Sequence, residues 1–288
     1  MTASRFHKPA SVADALSLLA GDDGALCLAG GATLVAMMNA RLAEPTALVS
    51  LSAIEELTAV ERRADGSVRI GAMRRHRQTA EATDLRDGQR VLSEAAGQIA
   101  NPTVRNMGTI GGSVAFADPA ADYPPALVAA DASIEIAGPA GRRLLPAADF
   151  FLDWYTTALD PGEMVTAVIV PPAPAGSIGR YDKLARISGD FAIASIALQL
   201  AMDGGACSHL RVAVGGCGPH PIRLPEAEQD LLGGGLDAPS LAEFGRRLVE
   251  ALDPPDDVRA SADYRRRVVP RMLARAIARA RSREEASP

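Results

Sequence analysis

The chain has 288 residues, a mean hydropathy of +0.06 and a net charge of −5, with acidic and basic residues mixed along its length. That length allows one large domain or two ordinary ones, and the mixed charge argues against nucleic acid as a partner, because phosphate binding needs a concentrated basic surface. No apolar run approaches the roughly 18 residues of a membrane span and no signal peptide is recognisable, so we expect a cytoplasmic protein.

Hydrophobic periodicity and turn residues place a helix, a strand, a second helix, a second strand and a hairpin at the start of the chain. Ser11 is a suitable N-cap for the first helix, and Asp65-Gly66 is a strong turn pair within the hairpin. The predicted ranges are 11–20, 25–29, 33–42, 47–51 and 60–70, in that order.

The middle of the chain alternates between helical and strand patterns up to a proline-rich segment. The predicted ranges are helices over 91–100 and 124–130 and strands over 133–137 and 164–170. The segment 171–179 carries three prolines and two glycines, which is typical of a domain boundary. We therefore predict two domains, over residues 1–175 and 176–288.

The second domain is predicted to contain an antiparallel meander followed by helices. Residues 180–187, 191–202 and 210–214 form the meander, although 191–202 is an apolar run long enough for either a strand or a buried helix. Helical patterns cover 225–232, 240–252 and 260–281, and a polar tail over 282–288 is expected to fray. The fold class is thus α+β, with a three-stranded antiparallel sheet and helices in the C-terminal domain.

A double glycine, Gly30-Gly31, lies between a predicted strand and a predicted helix. Without a Cβ the backbone reaches positive φ and approaches a ligand closely, and successive N–H groups can then surround an anion. An ordinary turn between strand and helix explains the same residues, because a double glycine alone is a weak signal.

The segment 101–125 carries a stronger pattern, with three glycines interleaved with hydroxyl side chains. Thr109 and Ser113 can donate hydrogen bonds to phosphate oxygens, and the glycines between them, Gly111 and Gly112, are expected to expose their amides. This is neither the GxGxxG fingerprint nor a phosphate loop with its lysine. Together, the two glycine segments indicate two backbone cradles around one anionic, hydroxyl-rich ligand, for which a dinucleotide is the obvious candidate.

Two aspartates follow this segment and suit hydroxyl groups better than phosphates. A carboxylate beside phosphate is costly, whereas it readily accepts hydrogen bonds from ribose or ribityl hydroxyls. Asp118, which precedes a proline, is equally well explained as the start of a turn. For Asp122 we favour contact with the ligand.

Through its two glycine segments, the chain resembles the FAD-binding medium subunit of molybdenum hydroxylases. This group includes carbon monoxide dehydrogenase and xanthine dehydrogenase. The resemblance extends over nearly the whole chain. It rests on Ala29-Gly-Gly-Ala-Thr-Leu34, Ala40-Arg-Leu42, Leu48-Val-Ser-Leu51, Arg105-Asn-Met-Gly-Thr-Ile-Gly-Gly112, Ala117-Asp-Pro-Ala-Ala-Asp122, Gly189-Asp-Phe-Ala192, and Val214-Gly-Gly216 with Pro221-Ile-Arg223.

The resemblance implies a PCMH-type FAD-binding domain of two small α/β subdomains, with the isoalloxazine between this domain and the C-terminal one. The first segment would hold the FAD diphosphate and the second would complete the cradle. The implied cofactor-binding residues are Leu28, Ala29, Gly30, Gly31, Ala32, Thr33, Leu34, Ile99, Thr109, Ile110, Gly111, Gly112, Ser113, Asp118, Asp122, Val165 and Lys183.

Several of these positions have simpler explanations. Ile99 and Val165, like Phe191 near the expected ring, are better explained by an ordinary core on the sequence alone. Lys183 is explained equally well by an exposed surface. The family often has Asn where Ser113 stands and a polar residue where Ala32 stands. Ser113 still offers a hydroxyl group, and Ala32 offers only its backbone.

The resemblance also implies an electron-relay role, with substrate chemistry on a partner chain. The expected partners are a large subunit with a molybdenum cofactor and a small subunit with [2Fe-2S] clusters, in a dimer of heterotrimers that passes electrons to an external acceptor. We expect no catalytic residue and no metal ligand in this chain, whose three cysteines are too few for a cluster. A stand-alone flavin oxidoreductase and an FAD-free assembly protein of the same fold are the alternatives.

Overall fold

The computed structural model describes residues 4–284. The strands are β1 (Arg5–His7), β2 (Ala25–Leu28), β3 (Ala47–Ser50), β4 (Val60–Arg62), β5 (Val68–Gly71), β6 (Ser133–Gly138), β7 (Gly141–Pro146), β8 (Phe151–Asp153), β9 (Thr156–Thr157), β10 (Met164–Val170), β11 (Ile178–Leu184), β12 (Ala194–Asp203), β13 (Ala206–Gly215) and β14 (Ile222–Arg223). The helices are α1 (Val12–Ala20), α2 (Leu34–Asn39), α3 (His76–Ala80), α4 (Val91–Gln98), α5 (Pro102–Met107), α6 (Ile110–Phe116), α7 (Tyr123–Ala129), α8 (Ala147–Phe150), α9 (Pro225–Gln229), α10 (Ala238–Ala251) and α11 (Ala262–Glu284). This mixture confirms the predicted α+β class.

The first sheet is small and parallel, with the strand order β1-β3-β2. Helix α1 begins at its predicted cap, where the Ser11 hydroxyl accepts a hydrogen bond from the Asp14 amide at 3.1 Å. Val12 and Ala15 of this helix pack with Ala47 and Val49 of the central strand. The double glycine follows directly after β2.

The second sheet is antiparallel, with the order β4-β5-β10-β6-β7. The predicted hairpin is confirmed, since β4 pairs with β5 and Gly66 lies in their turn with a φ of +85°. Helices α4, α6 and α7 bury their apolar residues with those of this sheet in the main core, which includes Leu92, Val114, Leu127 and Ile134. The second glycine segment is therefore held on a packed layer.

The third sheet, in the C-terminal part, has the order β11-β12-β13-β14 and is antiparallel. The prediction of three strands is wrong, because the short strand β14 extends the sheet by pairing with β13. The apolar run over 191–202 forms a strand, since Ala194 to Ala201 are all buried on the two faces of the sheet. Helices α10 and α11 cover one face through residues such as Phe244 and Leu273.

Helix α4 caps the exposed edge of the third sheet, because β11 is an edge strand and lies beside this helix. The Tyr181 amide donates to the Glu94 carboxylate at 3.0 Å, and the Gln98 side-chain amide donates to the Tyr181 carbonyl at 2.9 Å. Backbone groups that a further strand would pair are thus satisfied by side chains of the N-terminal part.

Two predictions of secondary structure need correction, one at the end of the last helix and one in the second glycine segment. The last helix runs through Glu284, so residues 282–284 continue α11 instead of fraying, and the rest of the expected tail, 285–288, lies outside the described residues. The stretch 102–116, read from the sequence as a glycine-rich loop, contains the two short helices α5 and α6. No helix among residues 4–284 is long and apolar enough to cross a membrane.

Candidate functional site

The two glycine segments are in direct contact. A Cβ added to Gly30 would lie 2.0 Å from the Met107 carbonyl oxygen and 2.8 Å from the Gly108 Cα. No side chain can occupy that space, so this position requires glycine. Segments separated by more than 70 residues in the chain therefore form one surface.

The first segment leaves backbone donors unused. Gly31 has a φ of +75°, and its carbonyl accepts a hydrogen bond from the Val35 amide at 3.1 Å as the chain enters α2. Within residues 4–284, the amides of Gly31, Ala32 and Thr33 donate no hydrogen bond. Three consecutive N–H groups on a partly exposed loop match an anionic ligand such as a diphosphate.

The second segment uses its amides internally, so the expectation that its glycines expose free N–H groups is wrong. Gly111 donates to the Ala72 carbonyl and Ile110 to the Arg74 carbonyl, both at 2.9 Å. Gly112 donates to the Thr109 hydroxyl oxygen at 3.2 Å, because Thr109 is the N-cap of α6. Thr109 is also buried, so this segment can contribute the Ser113 hydroxyl group and close approach at Gly112 instead.

Gly111 and Gly112 have different surroundings. A Cβ on Gly111 would lie 2.4 Å from the Ala72 Cβ, so this glycine allows α6 to pack on the sheet. Gly112 is exposed, and the nearest atoms to its added Cβ are the Thr109 hydroxyl oxygen at 3.1 Å and the Ala29 Cβ at 3.7 Å. Gly112 and the half-buried Ser113 therefore form the part of the second segment that a ligand can reach.

A buried histidine, His76, packs against Gly108 of the second segment. A Cβ on Gly108 would lie 2.4 Å from His76 Nε2, and His76 Nδ1 lies 3.3 Å from the Tyr123 hydroxyl oxygen. Burial, together with the charge of Arg105, lowers the pKa of His76 to about 4. The imidazole is thus buried and neutral at neutral pH.

Asp122 and Lys183 form a buried ion pair between the two parts of the chain. Lys183 Nζ lies 3.0 Å from Asp122 Oδ1 and donates to the Gln98 carbonyl at 2.8 Å, while the Tyr181 hydroxyl donates to Asp122 Oδ1 at 2.7 Å. Burial raises the pKa of Asp122, and the Lys183 charge opposes the rise. The sequence predicted Asp122 and Lys183 separately, and missed Tyr181 and Gln98 because such pairing across domains leaves no local pattern.

Asp118 does start a turn, as one of its two readings predicted. Its Oδ1 accepts a hydrogen bond from the Ala120 amide at 2.9 Å, and its Oδ2 accepts one from the Tyr155 hydroxyl at 3.4 Å. Burial raises the pKa of this carboxyl group. Tyr155 also packs edge-to-face on Phe116, with 5.3 Å between the ring centroids. Tyr155 lies in the turn of the hairpin β8–β9, which the sequence did not predict, and Phe116 ends α6. This pair of rings lies beside Asp118.

The apolar residues predicted to contact the cofactor differ in exposure. Ile99 is half-buried beside the main core, and its carbonyl accepts a hydrogen bond from the Arg105 guanidinium at 2.7 Å. Ile110 is fully buried, and Val165 on β10 is 5% exposed within the same core. Leu28 and Leu34 are half-buried on either side of the first segment. Val165 and Ile110 are therefore packing residues, whereas Ile99 remains accessible.

A cavity of about 840 Å³ lies elsewhere, between the end of α3, α4, β11 and α11. Of the residues predicted to bind the cofactor, only Lys183 lines it. Its buried Asp182 is surrounded by three guanidinium groups, with Arg180 Nε at 3.2 Å, Arg279 at 3.4 Å and Arg275 at 3.6 Å. These ion pairs fasten α11 to the edge strand.

Comparison with known families and structures agrees with this geometry. Residues 2–173 match the FAD binding domain in molybdopterin dehydrogenase, and residues 179–280 match the CO dehydrogenase flavoprotein C-terminal domain. The chain belongs to the family of FAD-binding medium subunits of carbon monoxide and xanthine dehydrogenases. This confirms the predicted resemblance, and the family's FAD-binding domain lies on this chain.

The chain is similar in sequence to subunits of several dehydrogenases. The chain is 38% identical to the 6-hydroxypseudooxynicotine dehydrogenase complex subunit alpha of Paenarthrobacter nicotinovorans, over 96% of this chain and 95% of that protein. It is also 38% identical to the carbon monoxide dehydrogenase medium chain of Afipia carboxidovorans, over 96% of both.

Solved structures of the family superpose closely. A chain of the Cu,Mo-CO dehydrogenase in its cyanide-inactivated form matches with a TM-score of 0.93 at 36% identity, over 97% of this chain and 98% of that one. Quinoline 2-oxidoreductase from Pseudomonas putida 86 matches with a TM-score of 0.90 at 31% identity, over 96% of both chains. The chain is thus a medium subunit of the multi-subunit oxidoreductase kind.

Proposed function

We propose that this chain holds FAD between its N-terminal and C-terminal parts and relays electrons from [2Fe-2S] clusters of a partner subunit to an external acceptor. The observation that carries the proposal is the set of three unused amides at Gly31, Ala32 and Thr33, which follow directly after Gly30, the residue in contact with the second glycine segment. Three consecutive amides suit a diphosphate, and the neighbouring polar side chains suit the hydroxyl groups of FAD.

The residues present suit FAD. The free amides of the first segment would hold the diphosphate, and the Ser113 hydroxyl, which has no partner within residues 4–284, would add a donor next to exposed Gly112. Bound FAD supplies the capacity to accept and release electrons, and the protein sets its geometry and potential. Two further residues of the predicted set, Ile110 and Val165, are buried and would act through packing.

Asp122 and Lys183 would present a fixed pair of charges to the ligand. Two of the three Lys183 N–H groups are used by Asp122 and the Gln98 carbonyl, which leaves one donor for a cofactor atom. The Tyr181 hydroxyl holds Asp122 from the other side. Because each charge is paired and hydrogen-bonded, the pair stays in place before the ligand arrives.

The partner chains belong to the same proposal. The relatives include medium chains and complex subunits of molybdenum-family dehydrogenases, which supports a large molybdenum-cofactor subunit and a small [2Fe-2S] subunit as partners in a dimer of heterotrimers in the cytoplasm. We also propose the domain boundary at residues 175 and 176, directly before β11.

The purified chain tests the flavin proposal directly. We expect the chain, refolded or titrated with FAD, to show the two visible absorption bands of bound flavin and a saturable titration. A folded chain that shows neither would favour the FAD-free assembly protein.

Partner capture separates the relay from the stand-alone oxidoreductase. Expression of the tagged chain with its neighbouring reading frames should recover chains that carry a molybdenum cofactor and [2Fe-2S] clusters. A flavin-loaded chain that oxidises substrate alone, with no such chains attached, would contradict the relay.

A further inference from the structure

Helix α11 contains a fully buried guanidinium group. Arg265 is 1% exposed, in a part of the molecule where the neighbouring residues of the helix pack into an apolar core. Its terminal nitrogens donate to the carbonyls of Ile193 and Gly216, the latter at 2.7 Å, and to Asp257 Oδ1 at 2.7 Å. Burial of a charge is costly, and such a group is retained where its contacts organise the structure.

The two carbonyls belong to two loops at one end of the third sheet. Ile193 ends the loop between β11 and β12, and Gly216, with a φ of +72°, begins the loop between β13 and β14. One side chain therefore joins both loops. The first loop also has backbone hydrogen bonds of its own, from the Ile193 amide to the Leu184 carbonyl at 2.7 Å and from the Asp190 amide to the Ile187 carbonyl at 3.2 Å, and the guanidinium contact adds the link to the second loop.

Both loops reach the segment that carries Asp118 and Asp122. The Gly216 amide donates to the Pro119 carbonyl at 3.1 Å, and the Ala192 amide donates to the Ala120 carbonyl at 3.4 Å. The guanidinium group and the 118–122 segment therefore both bind the same two loops. A shift of the loops would be passed to Asp122, whose ion pair with Lys183 spans the domains.

The first of these loops also packs against the residues next to Ile99. A Cβ on Gly189 would lie 2.4 Å from the Ala100 carbonyl oxygen, so the loop and the end of α4 are in close contact. The same loop carries Phe191, which is 45% exposed and has the Arg259 guanidinium 5.3 Å from its ring centroid. The loop thus links two predicted contacts of the cofactor.

Asp257 completes the arrangement from the loop before α11. Besides Arg265, its Oδ1 accepts hydrogen bonds from the Arg259 amide at 2.8 Å and the Ala260 amide at 3.0 Å. The carboxylate therefore holds the Arg265 charge and the backbone that presents Arg259 to Phe191. Removal of either partner disturbs the other.

We propose that Arg265, held by Asp257, is a positioning residue for the flavin: it fixes the two loops that place Asp122 and Phe191 relative to the cofactor. This proposal rests on the proposed FAD function. A buried arginine on the last helix would thus affect the binding and potential of the flavin without touching it.

The test compares Arg265→Met and Asp257→Asn in the full chain, with FAD affinity, the visible spectrum of bound FAD and its reduction potential as readouts. Loosened loops should raise the FAD dissociation constant about tenfold or more, equivalent to ~1.4 kcal/mol. They should also shift the absorption bands and the potential, since Asp122 and Phe191 would no longer be held.

The control is Ile277→Ala, which removes a buried side chain of α11 three turns beyond Arg265 in the C-terminal core. It should lower the thermal midpoint but leave the spectrum and potential of bound FAD at their wild-type values. Should Arg265→Met fail to fold, Asp257→Asn alone carries the comparison, because that side chain is partly exposed.

Wild-type spectra, potentials and affinities in both variants would overturn the positioning role while leaving FAD binding intact. Effects on the spectrum and potential equal to those of Ile277→Ala would overturn it as well, because they would reflect general destabilisation. A wild-type chain that binds no FAD would instead overturn the function on which the proposal rests.

Discussion

Gly111 and Gly112 are adjacent, yet the same substitution has different physical consequences at each. Gly111 touches Ala72 in the packed layer, so added volume there acts on folding. Gly112 is exposed on α6 beside Ala29 of the first segment, so added volume there acts on what approaches from outside. The pair therefore separates effects on stability from effects on the ligand.

Gly112→Val should block FAD uptake without unfolding the chain. The side chain would occupy the space between the two glycine segments that the diphosphate requires, and we expect at least about a tenfold loss of FAD affinity. A titration followed by visible absorption measures this. The matched control is Gly97→Val on α4, an exposed helical glycine whose added Cβ has only the Ala80 Cβ nearby, at 3.9 Å. Equal affinities in the two variants would contradict the cradle.

Gly111→Ala should destabilise the chain by about 1–3 kcal/mol, because the methyl group overpacks the contact with Ala72. Urea unfolding of the FAD-free chain measures this. Gly97→Ala is the control and should gain up to about 1 kcal/mol from the higher helix propensity of alanine. A Gly111→Ala variant as stable as the wild type would show that α6 can shift away from the sheet.

At the scale of single residues, the sequence predicted which residues form the candidate site, but not which hydrogen bonds each residue makes. Gly30 and Gly31 were correctly placed after a strand, and Asp118 at a turn, because those patterns are local. The amides of Gly111 and Ile110 are consumed by Ala72 and Arg74, residues distant in the chain. No single-sequence pattern reports such a bond.

At the scale of elements, α4 substitutes for a missing strand beside β11. Glu94 and Gln98 lie four residues apart on one face of the helix, and together they satisfy the amide and the carbonyl of Tyr181. The Gln98 backbone carbonyl additionally receives Lys183. One turn of helix thus secures both the edge strand and the buried ion pair.

Gln98→Leu should lower the free energy of unfolding by about 1–3 kcal/mol, since it leaves the Tyr181 carbonyl without its donor. Chemical denaturation measures the change. Ser93→Ala on the same helix is the control and should be nearly neutral, because the Ser93 hydroxyl donates only to the Arg90 carbonyl near the surface. If both variants have the same stability, water replaces the glutamine at no cost.

Elements with a strong local pattern were predicted well, and those formed by tertiary contacts were not. The hairpin β4–β5 and helices α1 and α4 follow from turn pairs, caps and periodicity. Residues 191–202 stayed ambiguous because a strand buried on both faces has no alternation. Helix α6 was missed because glycines lower helix propensity, and packing on Ala72 outweighs that preference.

At the scale of the whole molecule, buried histidines make stability depend on pH. The pKa of His76 falls from 6.5 in the unfolded chain to about 4 in the folded one. Between these values only the unfolded chain takes up the proton, so stability is retained above pH 6.5 and is lost as the pH falls towards 4. The total loss from this residue is about 3 kcal/mol.

His76→Gln should therefore flatten the decline in unfolding free energy between pH 7 and pH 4.5. His209, whose pKa burial also lowers to about 4, contributes in the same direction, and His209→Gln is the comparator. Both variants should reduce the slope, whereas only His76→Gln, beneath Gly108, should alter FAD affinity. An unchanged slope in His76→Gln would mean that the folded chain accommodates the imidazolium.

The cap on β11 also bears on the order in which the chain is made. Helix α4 leaves the ribosome more than 80 residues before β11, so Glu94 and Gln98 can already be in place when the edge strand emerges. Strand edges that wait for a partner invite association between nascent chains. If β11 preceded α4 in the chain, the third sheet would emerge with the backbone groups of β11 unpaired. The present order therefore gives the growing polypeptide protection against aggregation during translation.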